Sequence, residues 1–150
     1  MRRFLLIGAV SAVCVLFAGA ADAGEVRVTL TGVEARGGQI LAALQTEGQF
    51  LQGQGAYNQV APSPAQPGAV VLVFPNVAPG EYALTAMHDE DGNYQMKMLE
   101  SGMPAEGWAM SHGGALTGPP SFAVNKITVT DAPLSLREQI YYPYVPPAAH

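Results

Sequence analysis

Polar and apolar positions alternate in "EVRVTLTGV", with Val26, Val28 and Leu30 on one side and Arg27, Thr29 and Thr31 on the other. Period two with β-branched residues predicts a half-buried strand. "EARGG" reads as a turn and "QILAALQT" as a second strand, so the two are expected to form a hairpin. Gln, Leu and Ala also suit a helix, but Gly37-Gly38 stands between this run and a clear strand. "AVVLVF", bounded by Gly68 and Pro75, predicts a buried strand. "EYALTAMH" follows the Pro79-Gly80 turn and alternates again. "YQMKML" is expected to pair as a short strand. "SFAVNKITVT" changes apolar phase between Val124 and Ile127, which places a bulge or tight turn at Asn125-Lys126. "PLSLREQIYY" predicts the last strand.

Two stretches lack a period. Residues 47–68, rich in Gln, Gly and Pro, read as a long connection anchored by Phe50 and Tyr57, and prolines 62, 64 and 67 exclude a central strand. "ESGMPAEGWAMSHGGALTGPP" is the second, rich in Gly. No stretch carries a long 3.6-residue stripe. About seven short strands with frequent turns predict an all-β fold, a single antiparallel β-sandwich of the immunoglobulin or prealbumin type.

The chain of 150 residues is long enough for one domain. Hydrophobic residues make up 49% and charged residues 13%, which suits a buried core rather than disorder. A net charge of −5 removes the basic footprint of a nucleic-acid binder. "MRR", the apolar run after it and "ADA" have the form of a secretory leader, with cleavage expected after Ala23. Residues 1–23 are therefore set apart from a sandwich over 24–142 and an extended tail over 143–150. The expected location is periplasmic or secreted, with no stable membrane insertion after cleavage. Cys14 is the only cysteine and lies in the leader, so no disulfide is expected to support the exported domain.

The segments "VTLTGV", "GQILAALQTEGQF", "VFPNVAPGEYALTAMHDEDGN", "GMPAEGWAMSHGG" and "GPPSFA" follow one another in that order. On these segments the chain, from residue 25 to about 140, resembles the bacterial exported family called domain of unknown function 2141. The resemblance implies a small β-sandwich similar to transthyretin and carboxypeptidase-regulatory modules, and it implies no reaction. In the family a second Gly commonly follows the Asn of the acidic loop. Tyr94 stands there in this chain, which weakens any shared metal role. The purine-catabolism hydrolases of transthyretin type end in Tyr-Arg-Gly-Ser; this chain ends "YYPYVPPAAH", so their activity is not implied.

"HDEDGNYQ" holds the densest polar group. Counted from Asp89, the residues Asp91, Asn93, Gln95 and Glu100 fall on the oxygen-ligand positions of a calcium loop, but Tyr94 occupies the position where the bend needs Gly. A looser Ca²⁺ site using Asp89, Asp91, Asn93 and Glu100 remains open beside the plainer reading of an Asp-Gly turn between strands. His88 and His112, together with Asp89 or Glu90, suit Zn²⁺ or Cu²⁺, and the five methionines nearby suit copper, whereas methionines also fill gaps under long loops. Trp108, the only tryptophan, with Tyr94 and Phe122 can form a stacking platform or plug the end of the core. Ser111-His112 adjacency does not make a nucleophile-base pair.

The leading expectation is a non-enzymatic envelope module that binds a small molecule, peptide or envelope component, or has a structural role, through His88, Tyr94, Trp108 and His112. No cofactor is expected beyond the Ca²⁺ option. The alternatives are a metal-binding protein using the 88–93 loop and a hydrolase using His88 and His112 as acid-base groups.

Overall fold

The computed structural model describes residues 24–143. The expected leader, and the tail from residue 144 onward, lie outside the described residues. The strands are β1 (Val26–Val33), β2 (Gln39–Gln45), β3 (Tyr57–Pro62), β4 (Gly68–Phe74), β5 (Gly80–Asp89), β6 (Gly107–Met110), β7 (Lys126–Val129) and β8 (Leu134–Gln139). One helical turn, α1 (Phe122–Asn125), precedes β7. They form an all-β sandwich: a three-stranded sheet in the order β4-β1-β8 faces a five-stranded sheet in the order β3-β2-β5-β6, with β7 also paired to β5. All pairs are antiparallel except β1 with β8.

Alternation explains the core. Val26, Val28 and Leu30 of β1 and Leu72 and Phe74 of β4 point inward from one sheet. Ile40, Leu44, Leu84 and Val129 meet them from the other, and all are almost fully buried. With no cysteine in the described segment, this apolar layer carries the stability.

Several local expectations change. β1 and β2 are not a hairpin: they belong to different sheets, because β1 uses both its edges on β4 and β8. Gly37 and Gly38, with φ of 77° and 69°, carry the chain across. A Cβ on Gly38 would overlap the Asp89 carbonyl oxygen, so the crossing segment rides directly on the end of β5. "AVVLVF" is an edge strand rather than a buried one, with Val71 50% exposed. The long connection contains β3, an edge strand, which is where a proline-flanked segment is tolerated. The second irregular stretch contains β6, only four residues long, too short for its alternation to stand out. "YQMKML" forms no strand; a single bridge joins Met98 to Pro104.

The phase change at Asn125-Lys126 is where α1 hands over to β7. Asn125 is buried, its Nδ2 donating to the Ser111 carbonyl at 2.6 Å, while Ser111 Oγ donates back to the Asn125 carbonyl. This pair joins β6 and β7, which lie end to end along one edge of β5: β7 beside Gly80–Ala83 and β6 beside Thr85–His88.

Candidate functional site

The outer face of the five-stranded sheet is apolar, and its register explains why. Val60, Leu41, Met87 and Trp108 stand opposite one another in a row across β3, β2, β5 and β6. Asn58, Ala43, Thr85 and Met110 form the next row. With neighbouring strands about 4.8 Å apart, the first row spans about 14 Å. β2 is apolar on both faces: Ile40, Ala42 and Leu44 enter the core while Leu41 and Ala43 face outward. That double-faced pattern is why "QILAALQ" did not alternate.

Loops turn this face into a groove of about 1370 Å³. One wall comes from Tyr94, Met96, Met98 and Met103, and another from Leu51 and its neighbours. All five methionines after Met1 and the single tryptophan line it. No charged side chain does, among the described residues; the polar lining consists of amides, Thr85 and Tyr94. Trp108 leans on Tyr141, with ring centroids 5.3 Å apart, and the two residues exchange backbone hydrogen bonds. Gln45 shapes the second wall from beneath: its side chain donates to the Gly53 carbonyl and accepts from the Leu51 N–H.

The first wall is folded by carboxylates. Asp89 is fully buried at the end of β5. Its Oδ2 accepts from Gln39 Nε2 at 2.8 Å and from the Tyr94 N–H at 3.1 Å, and its Oδ1 accepts from the Asn93 N–H at 3.0 Å. Burial by itself raises the pKa of Asp89, but the donors from Gln39, Tyr94, Asn93 and Gly92 outweigh it and hold the group below its ordinary value. Glu106, also buried, accepts from the Glu90 N–H at 3.1 Å and the Lys97 N–H at 3.0 Å. The two carboxylates thus pin both ends of a loop that carries three methionines and Tyr94 over the groove.

Of the residues expected to hold a metal, Asp89 and Asp91 come together, joined by Glu106 rather than Glu100: one oxygen from each lies within 4.8 Å of the others. Asn93 sits beside them and donates its N–H and Nδ2 to Asp91. Such an oxygen set suits a hard cation such as Ca²⁺.

Of the residues expected to bind a ligand, Trp108 and Tyr94 line the groove. Phe122 does not; it packs edge-to-face on Phe50 at 6.1 Å. His88 faces the opposite side of the sheet and is fully buried. Its Nε2 lies 2.7 Å from the Gly37 carbonyl and its Nδ1 2.7 Å from the Tyr142 hydroxyl. A carbonyl only accepts, so Nε2 carries a hydrogen, and in the neutral ring Nδ1 accepts from Tyr142. The Tyr142 oxygen accepts in turn from the Glu34 N–H at 3.0 Å, and Arg36 lies over its ring at 4.4 Å. His112 is exposed, in the left-handed region at φ 59°, beyond the far end of β6. Gly107 pairs with His88 and His112 lies beyond the other end of β6, so the length of that strand separates the two histidines. Neither histidine lines the groove.

The residues the sequence reading did not single out are Leu41, Ala43 and Val60 on the groove floor. Their signal was an apolar run on β2 without alternation, followed by clustered methionines. No curated protein and no solved structure matches the chain. A family profile described as an uncharacterized protein conserved in bacteria, DUF2141, matches residues 28–137. That span covers both sheets, the carboxylate-folded loop and the groove, and the chain belongs to the DUF2141 family.

Proposed function

We propose that the protein is a non-enzymatic binding module of the bacterial envelope whose groove takes an uncharged molecule with a long apolar chain. One observation carries this reading: every methionine after Met1, and the only tryptophan, line a single groove that contains no charged side chain among the described residues. Flexible, polarisable methionine side chains adapt to an apolar ligand of variable shape. A charged ligand would lose its hydration here without a partner to replace it. The backbone of the floor is already paired within the sheet, so it offers little to an extended peptide, which favours a hydrocarbon chain. The separation of His88 and His112 and the full use of His88 in hydrogen bonds favour binding over hydrolysis. The expected leader supports an envelope location, and no helix among the described residues is long and apolar enough to cross a membrane.

Trp108 provides the test. The chain from Gly24 to His150 is titrated with a long-chain monoacylglycerol below its aggregation concentration. A saturable blue shift of Trp108 emission is expected, with the fatty-acid anion of equal length binding at least tenfold more weakly. Met87→Lys places a charge in the middle of the floor and should abolish the shift while the circular dichroism spectrum is kept. An unchanged Trp108 spectrum, or equal affinity for the anion, overturns the reading.

A second reading, a weak Ca²⁺ site, is favoured by the convergence of Asp89, Asp91 and Glu106. It expects a rise in melting temperature at millimolar Ca²⁺ that is absent in Asp91→Asn. A melting temperature that ignores Ca²⁺ removes it.

A further inference from the structure

The free edge of β4 points to a second use of the fold. We propose that two copies of this chain pair through β4, edge to edge and antiparallel about a two-fold axis, to form a dimer with a continuous six-stranded sheet.

β4 is the outermost strand of the three-stranded sheet and pairs only with β1. None of the backbone hydrogen bonds made outside the strand ladders involves residues 68–74, so the outer N–H and C=O groups of β4 are unpaired among the described residues, although β3 lies close to β4 without joining its sheet. An open edge is a template for another strand, and soluble proteins ordinarily blunt such edges with charge, proline, bulges or short length. The remaining edges show these devices. β3 ends in Pro62, β8 carries Arg137 and Glu138, and β6 and β7 have four residues each. β4 shows none of them along its own length. Its seven residues, GAVVLVF, contain neither charge nor proline. The irregularity in the β1–β4 register falls beside Gly68 and leaves Val70–Phe74 in regular pairing.

The occupant is a second copy because the strand is complementary to itself. Two-fold pairing brings an uncharged strand against an uncharged strand in a chain whose net charge of −5 otherwise opposes self-association. The inward residues Leu72 and Phe74 are already buried, whereas Val71 is 50% exposed on the outer face and Val73 lies two positions further on the same face. Pairing joins these valines from both copies into one β-branched strip, the cross-strand contact that stabilises sheets. Pro67 and Pro75 limit the pairing to this strand. A two-fold contact also consumes the edge and stops growth, whereas a head-to-tail contact would leave a new edge open. The interface is small, so the dimer is expected to dissociate on dilution. β4 lies in the sheet opposite the groove, so this inference stands apart from the proposed ligand.

The core is built from residues between Val26 and Ile140, and the chain from Gly24 to His150 is therefore the test material. Sedimentation velocity between about 5 and 200 μM should show monomer giving way to dimer, with no larger species. Val71→Lys should remain monomeric over the same range with its melting temperature retained, and Val71→Thr, which stays β-branched and uncharged, should still dimerise. Hydrogen exchange of the unmutated chain provides the check that needs no variant: amides within Val70–Phe74 should become protected as concentration rises. A monomer at every concentration, open-ended polymers, dimerisation of Val71→Lys, or exchange in β4 that ignores concentration would each overturn the proposal.

Discussion

The hydroxyl of Tyr142 lies 2.7 Å from Nδ1 of His88. It comes from the segment after the last strand and closes a chain of contacts that runs from Gly37 through His88 to the Glu34 N–H. His88, near the end of β5, thus fastens the segment that crosses from β1 to β2 and the segment after β8 to that end of the five-stranded sheet. Tyr142→Phe keeps the ring but leaves Nδ1 of the buried His88 without its hydrogen-bond partner. A loss of about 1–3 kcal/mol is expected. Urea unfolding measures it, and the groove should bind its ligand unchanged, because neither residue lines it. A variant as stable as the unmutated chain would show that water replaces the hydroxyl.

Gly107 allows Tyr142 to reach that position. A Cβ at residue 107 would overlap Cε1 of the Tyr142 ring. Gly107→Ala therefore has to displace either the ring or β6, at a cost of about 1–3 kcal/mol from overpacking. Combining it with Tyr142→Ala, which removes the ring, should recover part of that loss. Additive losses in the double variant would place the strain elsewhere.

Asp89 makes the loop over the groove sensitive to acid. Its folded pKa lies below the ordinary value, since donors from Gln39, Tyr94, Asn93 and Gly92 overcome the opposing effect of burial. In the unfolded chain an Asp ionises near about 3.9. Above that pH both states are ionised and the stabilisation is fully present. As pH falls the unfolded state takes up its proton first, and the contribution is lost down through the folded pKa. Asp89→Asn should melt lower at pH 7 and then fall less steeply between about pH 4 and 2 than the unmutated chain. Scanning calorimetry across that range decides it; parallel curves for the two proteins would mean that Asp89 is not the group responsible.

The alternation of β1 made the sandwich legible, because that strand has one wet and one dry face. Chain path was harder. The close spacing of β1 and β2 resembled a hairpin, but pairing depends on which edges are already occupied, and β8 arrives from a hundred residues away to take one edge of β1. The apolar run of β4 gave no sign of its edge position, since composition does not distinguish an inner strand from an unguarded outer one. At the site, Asp89 and Asp91 were visible as neighbours, while Glu106 joined them only through the fold. Tyr94 and Trp108 attracted attention as aromatics, but the row Val60, Leu41, Met87 and Trp108 exists only once the register of four strands is known. His88 looked like chemistry because histidine titrates; its neighbours show it fastening backbone instead.

Methionine oxidation offers a test of the groove that leaves the chain uncut and unmutated. Met98 and Met103 are each 53% exposed, whereas Met110 is 8% exposed. Peroxide reaches thioethers according to access, and each sulfoxide turns an apolar side chain into a polar one. Mild oxidation should therefore modify Met98 and Met103 before Met110, as read by peptide mass spectrometry. The sandwich should keep its melting temperature at that stage, because the residues oxidised first lie on the wall and not in the core. Affinity for the monoacylglycerol should fall at least tenfold, reported by Trp108 emission. Treatment with methionine sulfoxide reductases should restore it, which separates loss of an apolar wall from irreversible damage. Full affinity with Met98 and Met103 oxidised would mean that the ligand does not touch that wall, and the groove would have to be redrawn around Leu41, Met87 and Met110.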